Sequence, residues 1–539
     1  MRCWRRPRAG TCSASSGAAA EAQLAGRRYD AAVTPAHPPQ PGFELEEATV
    51  ASIHAAFRDG SLTAVALVQS YLARIEAIDR RGPSLRAFLT VHPGALEQAA
   101  QCDAALREGR FIGLLHGIPV VLKDNFDTHD LPTTGGSVAL RDWRPATDAF
   151  VVERIRRAGA ILLGKTHLQE LARGGVSIGS LGGQVRNPYD LTRTPGGSSG
   201  GTGAALAANL AVLGTGSDTG QSIRSPASAC SLVGVRPTRG LVSRRGLMPN
   251  SFTQDEPGPM ARTVRDAATL LEVMAGEDPR DPVTMLGAAR PPARYVQSLD
   301  AQALRGARIG LMANLQGREA RHADVNRVME QVVRTMQEQG ATVVRFAVTG
   351  YEALADDVST DRHEAAAAFD RYLADAGERA PVPSFRALVE MRVASPWIQQ
   401  ALEAELGMER GMDDPVYHRR IANRDKLREL VLAQMAQHRL DAILYPLQRV
   451  LVAPAGQPDQ PERNGVLSHG TGFPAVTFPG GFSEPTATAP LGVPVGAELL
   501  GPDFSEARLL SLAYAFEQAA RIRRAPAGLS PSPFGRGLG

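Results

Sequence analysis

An α/β protein with a largely central sheet is the fold class this sequence predicts, and three observations predict it. Short apolar runs of strand length recur along the chain, segments with helical hydrophobic spacing lie between many of them, and no internal repeat is evident. That alternation favours strands side by side with helices packed on them. The folded part is expected to begin near Phe43, because residues 35–42 (PAHPPQPG) are a proline-rich linker that cannot sustain regular hydrogen bonding. From there Val50, Ile53 and Phe57, then Val65, Val68, Leu72 and Ile75, fall at helical intervals, with Thr49 and Ser61 as N-caps. A third helix is expected over residues 96–106 and a fourth over 149–157. Residues 117–123 form an apolar run of strand character ending at Lys123, and 160–164 resemble a second buried strand. Further strands are predicted at 211–214, 307–312, 341–346, 440–445 and 473–478. The stretch near 280–430 is richer in charge and helix formers, as in 364–374 and 421–436, and reads as a variable helical cover.

Composition narrows the function classes. The chain has 539 residues, a length that by itself suggests three or four average domains, and 43% of them are apolar and 21% charged. Lysine and arginine total 59 against 56 acidic residues, a net charge of +3 that gives no nucleic-acid or anionic-membrane footprint. Cys3, Cys12, Cys102 and Cys230 match neither a zinc spacing nor a dense disulfide framework, so a reducing, cytoplasmic setting is expected. No apolar run is long enough to span a membrane. The basic, acid-free start has no apolar core behind it; residues 1–42 are expected to be disordered or processed, and residues 525–539 a flexible tail.

Two glycine-rich segments carry the chemical signal: residues 195–205 (PGGSSGGTGAA) and residues 214–224 (GTGSDTGQSIR). Glycine lets backbone approach a ligand closely, and ordinary turns are the competing reading. A phosphate loop is disfavoured, since neither segment ends in Gly-Lys-Ser/Thr and neither is a dinucleotide fingerprint with its acidic partner. If these serines are nucleophilic they need a base. None of the 11 histidines lies in a recognisable triad context. Lys123, at the end of an apolar strand, could serve if burial lowered its pKa; a solvated charge or an ion pair with Asp124 is the alternative.

Together GIPVVLKDN, PGGSSGGTGAA and GSDTGQSIRSPAS resemble the signature segments of the amidase-signature family, and further matches run in order over about residues 45–522. The resemblance implies one catalytic domain over residues 43–524, with a mixed central sheet covered by helices on both faces. It implies Ser222 as nucleophile, Ser198 as proton relay in a cis peptide after Gly197, and Lys123 as base. The amides of Thr219, Gly220, Gln221 and Ser222 would form the oxyanion hole, with no metal and no organic cofactor. One departure stands out: the family usually has Gly-Gly-Ser where this chain has Gly220-Gln221-Ser222, which strains Gln221 if that position needs a positive φ. Ser199 is read as bracing its loop, Asp218 and Arg224 equally as structural or as substrate contacts, and Thr134 and Ser137 equally as turn caps; none of them is read as catalytic. The expected activity is cleavage of a carboxamide C–N bond, on a small-molecule amide, with no nucleic acid, no membrane and possible homodimer formation. The alternatives are the glutaminase subunit of a tRNA-dependent amidotransferase and a non-catalytic binding protein on the same fold.

Overall fold

The computed structural model describes residues 43–288, 290 and 294–529; the expectations for residues 1–42 and 530–539 lie outside the described residues. The first helix, α1 (Val50–Asp59), starts where the sequence places it: the Thr49 side chain accepts from the Ser52 amide at 3.1 Å, and Gly60 closes the helix at φ 76°. It buries Val50, Ile53, Ala56 and Phe57. Helix α2 (Ala64–Arg74) is capped by Thr63 instead of Ser61, because it is the Thr63 hydroxyl that meets a first-turn amide, that of Ala66, at 3.1 Å. Ser61 points its hydroxyl back to the Ala56 carbonyl.

The central sheet has eleven strands among the described residues. In chain order these are β1 (Phe88–Val91), β2 (Pro119–Lys123), β3 (Ile161–Thr166), β4 (Leu213–Asp218), β5 (Val233–Arg236), β6 (Glu256–Ala261), β7 (Arg308–Met312), β8 (Thr342–Phe346), β9 (Ala442–Pro446), β10 (Ala475–Phe482) and β11 (Pro494–Leu500). Their spatial order is β1-β3-β2-β4-β6-β5-β10-β11-β9-β7-β8. β3, β2 and β4 run parallel to one another, as do β9, β7 and β8, and the pairings between these two groups are antiparallel, so the sheet is mixed. Every residue of β2, β3, β4, β9 and β11 is buried, which requires cover on both faces. One apolar core runs from Ala48 to Leu529. The segment near 280–430 is not uniformly helical, since β7 and β8 lie within it.

The second glycine-rich segment is a strand before it is a loop: residues 213–218 pair with β6 from Leu213↔Ala261 to Asp218↔Glu256. Strand β6 (EPGPMA) is hidden in the sequence by its prolines. β5 reaches only Met260 and Ala261 on that flank, so Pro257 and Pro259 interrupt no ladder there. Met248 and Met260 are core residues, at 3% and 0% exposure.

This topology sets the site. β3, β2 and β4 are adjacent and parallel, so Thr166, Lys123 and Asp218 arrive together at their C-terminal ends, the edge at which ligands bind in open α/β sheets. Over that edge a separate apolar cluster joins Leu140, Leu171 and Met248 to Phe369, Phe385 and Leu402 of the helical cover. The cover thereby forms one wall of a cleft.

Candidate active site

Lys123 ends β2 with its side chain fully buried. Its amine lies 2.7 Å from Ser198 Oγ and 2.8 Å from Ser217 Oγ, and it donates to the Ser217 carbonyl at 3.3 Å. Asn125 Nδ2 donates to the same Ser217 hydroxyl at 2.9 Å, fixing one of the two oxygens that hold the amine. Burial pushes the Lys123 pKa down to about 7, against the opposing pull of Asp218 and Asp255. Among the described residues no carboxylate forms an ion pair with it. Asp124 ion-pairs instead with Lys165 at 2.9 Å, an equally buried lysine that also donates to the Pro132 carbonyl and the Thr133 hydroxyl. The two lysines thus differ in kind: Lys165 is neutralised by a carboxylate, whereas Lys123 is held by hydroxyls that can exchange protons with it.

Ser198 follows a cis peptide after Gly197. Its carbonyl accepts from the Gln169 amide at 2.9 Å, and Ser177 Oγ donates to the Gly196 carbonyl at 2.8 Å while accepting from the Gly200 amide at 3.0 Å. The loop is therefore clamped on both sides of the serine. Close approach explains the glycines. A Cβ on Gly201, in helix α3 (Gly200–Ala207), would lie 2.2 Å from the His167 carbonyl oxygen and 2.6 Å from that of Ala87. Gly201→Ala is expected to cost about 1–3 kcal/mol or more by overpacking. Thermal melting reads the loss, and a midpoint equal to the parent's would show that the helix is free to shift.

Ser222 sits on the turn after β4, 7% exposed, with its carbonyl accepting from the Ser199 amide at 3.0 Å. The nucleophile loop and the relay loop are therefore hydrogen-bonded to each other. Asp218 shapes the turn: its Oδ2 accepts from the Ile223 amide at 3.0 Å and from Arg224 Nε at 3.1 Å, and its Oδ1 from Arg236 Nη1 at 3.0 Å. Arg224 also donates to Glu498 at 2.7 Å and to the Gly220 carbonyl. With that carbonyl turned toward Arg224, the Gln221 N–H of the same planar peptide points the opposite way. The main-chain N–H groups of Gly220, Gln221 and Ser222 make no hydrogen bond within the described chain. Gln221 has no positive φ, so the feared strain is absent. Gly465 leaves space for its side chain, as a Cβ there would lie 2.7 Å from Gln221 Cβ.

Thr219, Gly220, Gln221 and Ser222 line a cleft of about 490 Å³ whose other walls include Arg173, Asn250, Asp361, Trp397 and Glu405. His469 is also there, but burial, then Arg236, Arg424 and Arg224, drive its pKa well below the usual histidine range, so it is neutral. Sequence reasoning missed Ser217, Asn125, Ser177 and Gln169. Ser217 lies in the second glycine-rich segment and Asn125 ends the GIPVVLKDN segment, so both stood in segments the sequence had singled out. Thr134 and Ser137 do act structurally: Thr134 Oγ1 binds Asp124, and Ser137 accepts from the Ala139 amide. One group of metal-ligating side chains occurs among the described residues, His129, Asp130 and Asp148. Arg156 ion-pairs both carboxylates, at 2.8 and 2.9 Å, and so occupies the place of a cation.

A mixed sheet that gathers buried polar residues at the ends of three parallel strands, with the turn after one of them lining a cleft, defines an α/β enzyme architecture. The chain belongs to the Amidase family, the amidase-signature enzymes, whose model matches residues 66–510, and it is an amidohydrolase acting on amide C–N bonds. It is 34% identical over 501 residues to the A-subunit of glutamyl-tRNA(Gln) amidotransferase from Alkaliphilus metalliredigens, covering 89% of this chain and 98% of that one. The corresponding subunit of Thermobifida fusca is 42% identical over 311 residues, 58% of this chain and 61% of the relative. Among solved structures, the native peptide amidase of Stenotrophomonas maltophilia superposes with a TM-score of 0.81 at 38% identity, covering 90% of this chain and 99% of that one. The corresponding amidotransferase subunit of Thermotoga maritima gives 0.69 at 26%, covering 90% and 98%.

These relatives correct the expectation of a small-molecule amide with no nucleic acid and no partner beyond a second copy. Relatives matched over nearly their whole length carry the name of one subunit of an enzyme that acts on glutamyl-tRNA(Gln). That expectation rested on the near-neutral net charge, which averages over the whole chain and does not decide such a question. No helix among the described residues is long and apolar enough to cross a membrane.

Proposed function

We propose that the chain cleaves a carboxamide through an acyl-enzyme on Ser222, with Lys123 as base acting through Ser198. The observation that carries this is the buried Lys123 amine, 2.7 Å from Ser198 Oγ and with its pKa lowered to about 7. At that pKa a large share of the amine is neutral at pH 7 and can take a proton. Ser222 Oγ attacks the amide carbon, its proton passes to Ser198 Oγ, and the Ser198 proton passes to Lys123. The oxyanion is held by the unpaired N–H groups of Gly220, Gln221 and Ser222, with Thr219 completing the turn. Collapse breaks the C–N bond as the Lys123 proton returns through Ser198 to the leaving nitrogen. Water then attacks the ester, using the same relay, and releases the acid.

For the substrate, the curated relatives support the side-chain carboxamide of glutamine, with this chain as the ammonia-releasing member of a tRNA-dependent amidotransferase. A second reading, hydrolysis of peptide amides, is favoured by the greater likeness to the peptide amidase than to the solved amidotransferase structure. A cytoplasmic setting is supported by Cys102 and Cys230, which are buried and free.

Two measurements test this. A fluorophosphonate probe should label the parent and fail to label Ser222→Ala; labelling that persists in the variant removes Ser222 as nucleophile. Ammonia release from L-glutamine, compared with release from a peptide amide, separates the two substrates. Glutamine turnover that appears only with partner subunits and glutamyl-tRNA supports the first reading, and fast hydrolysis of peptide amides by the isolated chain supports the second.

A further inference from the structure

Next to the nucleophile stands a side chain whose hydrogen-bonding capacity nothing among the described residues uses. Gln221 is 3% exposed, and neither its Oε1 nor its Nε2 has a partner. Exchanging the two atoms gives the same result, since both are unmet. A buried carboxamide left this way is uncommon and costly, and its natural resolution is a ligand group that both donates and accepts. Its neighbour Gln254 shows the contrast: it donates to the Thr219 carbonyl at 3.2 Å and accepts from the Thr360 amide at 2.6 Å.

Gln221 lines the cleft together with Ser222, and Gly465 packs against its side chain. A second unmet acceptor lies in the same lining. Asn250 is 6% exposed with no partner for Oδ1. It is tied to the nucleophile's turn by one carboxylate, because Asp255 accepts from the Asn250 amide at 2.7 Å and from Thr219 Oγ1 at 2.6 Å. Asp255 thereby links the Asn250 backbone to Thr219, which lies on the same turn as Gln221.

A primary carboxamide offers a donor and an acceptor side by side in one plane. Its complement is a secondary amide unit, or the N–H and C=O of one extended peptide residue. We propose that Gln221, supported by Asn250, forms a subsite that reads a secondary amide adjoining the scissile carboxamide, and so selects acylamino or peptide-type substrates over simple carboxamides. The subsite rests on the reading of Ser222 as nucleophile. It adds a discriminating element that the glycine usual at this position in the family cannot supply.

The test compares two amides with the same scissile group, N-acetylphenylalanine amide and 3-phenylpropionamide, which differ by the acetylamino unit. In the parent, kcat/KM should favour the acetylated amide by about tenfold or more, the worth of one well-made hydrogen bond to a buried group. In Gln221→Ala the ratio should fall to within about threefold, and Gln221→Glu, which keeps the shape but loses the donor, should fall between. Using a ratio cancels any general effect on the turn. A parent ratio under threefold, or a ratio that survives in Gln221→Ala, overturns the subsite. Fluorophosphonate labelling of the same preparations separates the two claims. Labelled protein with a flat ratio sinks the subsite alone, while absent labelling with no hydrolysis of either amide sinks the nucleophile and the subsite with it.

Discussion

Replacing Lys123 by methionine lowers kcat/KM on any amide the protein hydrolyses by roughly 10²–10⁴-fold, the usual worth of a positioned base, yet the variant melts no earlier than the parent at pH 7. The two halves share one cause. Lysine's ordinary pKa is 10.5, and burial lowers it to about 7 in the folded chain. Between those values the unfolded chain binds more protons than the folded one, so stability rises with pH across that window. At pH 7 and below, the folded state carries the whole burden of burying the amine, and methionine removes it. The parent's activity should rise with pH through about 7, as the amine loses its proton, and that limb should vanish in Lys123→Met. A variant with near-parental turnover would take the base role from Lys123. A variant with a much lower melting point would show that the amine's contacts to Ser198 and Ser217 outweigh its burial.

Much of this site was legible in the sequence, and its illegible part has a physical character. Lys123 announced itself because an apolar run that ends in lysine is a buried strand delivering a charge. Ser198 drew attention because it lies in a glycine-rich segment, one of whose glycines, Gly201, meets the His167 carbonyl too closely for a Cβ, and Ser222 because it lies in the second such segment. Ser217, Ser177 and Gln169 did not, because each acts through hydrogen bonds whose partners are distant in sequence. The same holds for the fold. Strands of continuous apolar character, such as β3 and β9, were placed to within two residues at either end. β6 was missed because its prolines suit an incompletely paired flank, and β11 because a strand of mixed composition shows its pairing only in three dimensions. The pairing of Asp124 with Lys165 and not with Lys123 was invisible for a related reason. Adjacent residues on a strand point to opposite faces, so the true partner comes from the neighbouring strand.

Asp218→Ala is the second change with a large expected effect, a loss of about 3–5 kcal/mol of stability, as when one partner of a buried ion pair is removed. Burial alone would push the Asp218 carboxyl up, but Arg224 and Arg236 together hold it well below the usual carboxylate range. Its removal leaves Arg236 without its carboxylate contact, while Arg224 keeps Glu498 at 2.7 Å. A carboxyl whose folded pKa is depressed contributes stability that is present above its unfolded value, near about 3.9, and is lost as pH falls below it. The gap between parent and variant should therefore be widest at neutral pH and narrow in acid, which denaturant melts at pH 7 and pH 3 would reveal. A constant gap would mean that the loss is one of packing, not charge. Asp218→Asn keeps the shape and carries a readout that a purely structural role would not move. Asp218 opposes the burial that lowers the Lys123 pKa. Without its charge the amine loses its proton more readily, and the acid limb of the pH–rate profile shifts below 7. A limb that stays in place while turnover falls would confine Asp218 to shaping the Ser222 turn.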